Sequence, residues 1–182
     1  KYNTDNVPMI GLFGQPLFDH EWYKSTMASF IGALKQVDLP VRVVYKPHPK
    51  ESEASVQWTT NKLIKSRLDF FVVKGQEPLK VLTGTDVAVS LFSTIGYDLQ
   101  NLLRKSKMAF SIPLYLFFDD KCKGWFKKYC YLEDIPMSKY GSIVVNSKKD
   151  IIERVQQSLS SKEKELCHSM ILERMSASCG SN

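Results

Sequence analysis

Residues 86–104, DVAVSLFSTIGYDLQNLLR, decide the reading of the fold. Asp86 to Phe92 is apolar and valine-rich, as a strand covered on both faces should be. Ser93 and Thr94 are residue types that cap helix N-termini. Ile95, Leu99, Leu102 and Leu103 then recur at helical spacing and define one apolar face. Gly96 falls in the first turn, where a missing side chain lets another group approach the backbone. A helix start at the carboxyl edge of a parallel sheet offers free N–H groups and the positive end of the dipole, which suits a phosphate or another anion. The two hydroxyls can equally serve as caps alone, and this stretch leaves both readings open.

Toward the amino terminus, Val7 to Phe13 reads as an apolar strand ending in the turn Gly14-Gln15-Pro16. Asp19 is placed to cap the next helix, with Tyr23, Met27, Phe30, Ile31 and Leu34 on its buried face. Val41 to Tyr45 is the second strand. It stops at Lys46-Pro47-His48-Pro49, because two prolines cannot continue a central strand. Ser52 starts a helix to about Lys65, with Val56, Leu63 and Ile64 inward. Leu68 to Val73 is the third strand, and Glu77 to Thr83 a short helix.

Past the opening stretch, Lys107 to Ile112 reads as the fifth strand and Ser142 to Val145 as the sixth. Ser147 with Asp150 forms a capping-box pattern for a helix over Lys148 to Leu159. Ser160 with Glu163 caps a last helix to about Met175, and a small polar tail, Ser176 to Asn182, follows. Residues 114–140 mix eight aromatics with five lysines and read as an irregular insertion or flap. Strands alternating with helices predict a three-layer α/β/α, Rossmann-like domain of about six mainly parallel strands.

The chain has 182 residues, 43% hydrophobic and 24% charged, which fits one soluble domain over 1–182 with a carboxyl-terminal helix and tail at 160–182. The net charge of +6 favours anionic ligands or an anionic membrane surface. No Arg/Lys tract, zinc-finger or RNP-type pattern points to nucleic acid. The four cysteines lack CxxC spacing, so free thiols in a reducing compartment are the simplest account. Three widely separated histidines give no metal set. No apolar run reaches the ~20 residues of a membrane span, and no signal peptide is evident. Lys1 stands where an initiator Met would, which suggests an excised piece or a processed product.

Ligands of doubly wound sheets collect at the carboxyl ends of strands. Three segments end strands with suitable groups: Gln15 in its turn, Lys46 with His48, and Ser93 with Thr94. Prolines on both sides of His48 fix its backbone. An imidazole and a lysine facing a hydroxylated helix start would grip a diphosphate, and His48 could protonate a leaving phosphate. A solvated turn residue is the bland alternative for His48. Asp98 lies in the first helical turn, where the dipole alone favours an acid. His20 reads as a helix-start residue and His168 as surface.

These residues resemble a family. VRVVYKPHPKES (41–52), DVAVSLFSTIGYDL (86–99) and the strand near Met108 are similar to the carboxyl-terminal half of GT-B fold glycosyltransferases. The nearest pattern is that of capsule and wall-polymer enzymes, including sialyl- and polysialyltransferases and CDP-glycerol glycerophosphotransferases. His48-Pro49 stands for their His-Pro motif. Ser93-Thr94 followed by Asp98 looks like the SSxxxD pattern, with Thr at its second position. Phe118-Asp119, Trp125 to Glu133 and Gly141 to Val144 resemble the later part.

The resemblance implies a nucleotide-sugar or CDP-polyol donor bound as substrate, with no cofactor or metal, and a glycan acceptor. It implies that His48 contacts the donor phosphate as a leaving-phosphate stabiliser, and that Ser93 and Thr94 hold phosphate oxygens. An amino-terminal Rossmann-like domain, absent from this chain, would hold the acceptor. A cytoplasmic location at the inner face of a membrane follows from the same resemblance. The alternative is a stand-alone phosphate- or nucleotide-binding module without catalysis. A flavodoxin- or receiver-like signalling domain is disfavoured, because no acidic cluster follows the first strand.

Overall fold

Successive side chains of a strand point to opposite faces, so a strand buried throughout must carry a layer on each side. The computed structural model, which describes residues 7–179, shows that arrangement. Its strands are β1 (Met9–Phe13), β2 (Arg42–Lys46), β3 (Asp69–Val72), β4 (Val87–Ser90), β5 (Ile112–Leu116) and β6 (Ile143–Val145). The helices are α1 (Glu21–Ala33), α2 (Glu53–Lys65), α3 (Pro78–Leu82), α4 (Ile95–Lys105), α5 (Asp120–Cys130), α6 (Ile151–Leu159) and α7 (Ser161–Cys179). They flank one open sheet of order β3-β2-β1-β4-β5-β6. Every strand pair is parallel. The chain steps outward from β1 to β3, then returns to the other side of β1 as β4. The crevice between β1 and β4 is therefore the topological switch point.

Two cores follow from strand alternation. Ile10, Leu12, Val43, Tyr45, Val87 and Val89 meet Tyr23, Phe30, Leu63, Phe126 and Val155 on the face of α1, α2, α5 and α6. Met9, Phe13, Val44 and Ala88 meet Val81, Leu82, Ile95, Leu99, Leu103 and Ile171 on the face of α3, α4 and α7. Asp86 ties the amino edge of the sheet to α7. It accepts the Met9 N–H at 2.8 Å and pairs with Lys164 at 2.5 Å.

Several sequence expectations shift. The fifth strand lies at Ile112–Leu116 rather than Lys107 to Ile112, and includes Pro113. A proline removes one ladder donor, and the neighbouring bonds and complete burial hold the strand. Residues 114–140 begin in that strand and contain α5, capped by Asp119, which accepts the N–H groups of Lys121 and Cys122. Asp19 is not a cap: α1 starts after His20, with no side-chain capping bond. Ile64 points outward, 56% exposed, while Thr59 takes the inner face with Val56 and Leu63. His168 is half-buried, its Nε2 2.9 Å from the Leu103 carbonyl. The last helix runs to Cys179, beyond Met175, and 180–182 of the expected tail lie outside the described residues.

Candidate functional site

The β2–α2 loop is built around Glu51. Ser52 caps α2 by accepting the Ser55 N–H at 3.2 Å. That fixes Glu51 beside the strand end, where its carboxylate accepts the Tyr45 hydroxyl at 3.0 Å, the Ser55 hydroxyl at 2.7 Å and the His48 N–H at 2.7 Å. Burial and then the Glu51 charge push the Tyr45 phenol above its ordinary range, so it remains a protonated donor. Gly14 lies against this carboxylate, and a Cβ there would collide with Glu51 Oε2.

Lys46 and His48 line a cavity of about 400 Å³ between the ends of β2 and β3, with Pro47, Pro49, Glu51, Val56, Lys74, Gly75 and Gln76. Lys46 is only 6% exposed, and its ammonium donates to the Pro47 carbonyl at 3.2 Å. It has no ion-pair partner among the described residues. A buried ammonium without a counter-ion is costly, and an anion in the cavity would offset that cost. The half-buried His48 ring accepts the Lys50 N–H on Nδ1 at 3.1 Å.

The other expected residues lie along the same edge but not in this cavity. Gln15 is buried, and its oxygen accepts the N–H groups of Leu91 at 3.0 Å and Phe92 at 3.3 Å. It bridges the two loops of the switch point. Ser93 is half-buried and, from the position before the N-cap, accepts the Ile95 N–H at 3.2 Å, so it satisfies a first-turn donor of α4. Thr94 is the exposed N-cap residue of α4 and makes no side-chain cap bond. Asp98 is exposed in the first turn. Strand β1 separates the strands that carry His48 and Ser93.

Two features escaped the sequence reading. Glu51 is one, although the i, i+4 spacing to Ser55 was visible. The other is an aromatic group over the switch point: His20 stacks on Trp22 at 4.9 Å, and Phe92 stacks on Trp125 at 5.4 Å. Gly96 has a packing reason, because a Cβ there would collide with the buried Tyr115 hydroxyl. Among the described residues, no group of three His, Cys, Asp or Glu side chains is arranged to hold a metal, and no helix is long and apolar enough to cross a membrane.

No protein-family model and no curated protein matches the chain by sequence. Solved structures do match by shape. A UDP-forming α,α-trehalose-phosphate synthase from Burkholderia xenovorans aligns with 93% of this chain and 40% of its own, at 9% identity and a TM-score of 0.58. MurG from Acinetobacter baumannii aligns over 94% and 45%, at 12% identity and 0.51. CalG4, the calicheamicin glycosyltransferase, aligns over 97% and 43%, at 14% identity and 0.54. The fold is that of a GT-B domain. The chain spans less than half the length of these three matched structures.

Proposed function

We propose that this chain is the donor-binding, carboxyl-terminal half of a GT-B transferase, which moves a sugar or polyol phosphate from a nucleotide-activated donor to a surface glycan. The observation that carries the reading is the buried Lys46 beside His48, lining a cavity at the carboxyl edge of a parallel sheet. A lysine ammonium and an imidazole N–H suit phosphate oxygens. The helix start at Ser93-Thr94, one strand beyond β1, would take the sugar-proximal end of an extended donor. The UDP-forming activity named for one neighbour supports a nucleoside diphosphate as the leaving group. The His48-Pro49 and Ser93-Thr94-to-Asp98 patterns support the branch of sialyltransferases and glycerophosphotransferases. In this reading a second Rossmann-like domain supplies the acceptor site, no metal is required, and the work is done at the cytoplasmic face of a membrane.

Calorimetry with CMP, CDP, UMP and UDP tests it. Weak binding of at least one diphosphate is expected, reduced about ten- to a hundredfold by His48→Ala, since a charge-assisted bond contributes roughly 1.5–3 kcal/mol. Absence of heat with all four at millimolar ligand would rule the donor site out. Tighter binding of inorganic phosphate than of any nucleotide would favour a phosphate-binding module.

A further inference from the structure

Three donors converge on Glu51, and one of them is the backbone of His48. The Glu51 N–H returns to the His48 carbonyl at 2.9 Å and closes the turn. Inside that turn the Lys50 N–H points at His48 Nδ1, 3.1 Å away. A ring nitrogen that accepts an N–H carries no proton, so the neutral imidazole must hold its proton on Nε2. The ring nitrogen left for a ligand is therefore a donor.

We infer that Glu51 is a positioning residue that locks His48 as the Nε2–H tautomer, so that His48 offers an anionic oxygen in the cavity a hydrogen bond and keeps its proton. Transfer of the Nε2 proton from a neutral ring would leave an imidazolate. Protonating Nδ1 first would set two donors, Nδ1–H and the Lys50 N–H, against each other. The turn thus disfavours His48 as a general acid and suits it to steady charge on a leaving phosphate. The tautomer lock stands on the geometry of residues 45–55. The ligand half rests on the donor-site reading above.

The lock is read by two-bond ¹H–¹⁵N NMR of the ¹⁵N-histidine-labelled chain, at a pH well above the ordinary imidazole value of about 6.5. The expected signature for His48 is a bare Nδ1 and a protonated Nε2. A major Nδ1–H form in the parent chain would overturn the inference outright. Glu51→Gln should keep the signature: its amide oxygen can accept the His48 N–H while its NH₂ donates to the Tyr45 and Ser55 hydroxyls, which can also accept. Glu51→Ala should mix the tautomers with far-UV circular dichroism unchanged. An unaltered tautomer ratio in a folded Glu51→Ala chain would remove the positioning role, and a mixed ratio in Glu51→Gln would remove it too.

For the ligand half, UDP is the probe. His48→Gln, whose amide nitrogen reaches the place of Nε2, should bind UDP within about threefold of the parent. His48→Asn, whose amide reaches only as far as Nδ1, should lose about tenfold or more. Equal losses in the two variants would contradict the Nε2–H contact. No UDP binding by the parent chain would end the donor-site reading, while the ring signature still decides the lock.

Discussion

The side-chain oxygen of Gln15 accepts the Leu91 N–H at 3.0 Å, joining loops 76 residues apart in sequence across the switch point. Parallel neighbours β1 and β4 bring the loops together, and Gln15 fixes their separation. Gln15→Leu would leave buried N–H groups at Leu91 and Phe92 without their acceptor. The expected loss is about 1–3 kcal/mol, read as a lower denaturant midpoint at unchanged m-value. An unchanged midpoint would mean that water replaces the amide and that Gln15 is free to serve a ligand.

Gly96 and Tyr115 form a second coupled pair. Among the described residues, the Tyr115 hydroxyl is buried without a hydrogen-bond partner, against the first turn of α4. Tyr115→Phe should therefore be neutral or stabilising. Gly96→Ala should destabilise by about 1–3 kcal/mol through overpacking. The double variant should recover part of that loss, because the two changes share one contact. Strict additivity in the unfolding free energies would refute the contact.

Ser93 and Thr94 can be separated by stability and binding. Ser93 accepts the Ile95 N–H and Thr94 makes no cap bond. Ser93→Ala should lower stability by roughly 0.5–1 kcal/mol. Thr94→Ala should leave the melting temperature unchanged while weakening UDP or CDP binding. A Thr94→Ala chain that binds like the parent would leave the hydroxyl without a ligand role.

Much of this was legible because burial leaves a strong pattern. Valine-rich runs mark β2 and β4, and the 3.6-residue recurrence from Ile95 to Leu103 marks α4. Pro113 hid β5, since a proline ordinarily ends a strand; in the fold the loss of one donor is tolerated within a fully paired, buried neighbourhood. Lysines and aromatics masked α5, although Asp119 and the Cys122–Phe126 spacing carried its signal. Lys46 and His48 were legible as candidates because they stand at the carboxyl end of a strand. The role of Glu51 was not, because three partners meet it only when the loop closes. Gln15 was visible as a strand-end polar residue, but its partner lies in a loop that only the sheet order brings near.

The thiols should respond to alkali in a defined direction. Burial, then the Asp119 charge, pushes the Cys122 thiol up from its ordinary 9.0 to about 12. Burial, then Glu163, raises Cys167 to about 11. The folded chain keeps these protons at a pH where the unfolded chain has lost them. The stabilisation is complete below about 9 and declines as pH rises through the folded values. At pH about 8, iodoacetamide should modify the exposed Cys130 and spare Cys122 and Cys167 until denaturant is added. Residue-resolved mass spectrometry showing equal modification of all three in the native chain would refute this burial.

The central claim is that a nucleotide donor binds along one edge of the sheet, from the His48 loop to the α4 start. An amide-resolved ¹H–¹⁵N NMR titration of the chain with UDP and with CDP tests it most directly. The predicted result is a saturable shift confined to the amides of Lys46, His48, Lys50 and Glu51, of Lys74 to Gln76 and of Leu91 to Gly96, with Asp86 and Lys164 at the opposite edge silent. Shifts centred at that opposite edge, or none at millimolar nucleotide, would contradict the account.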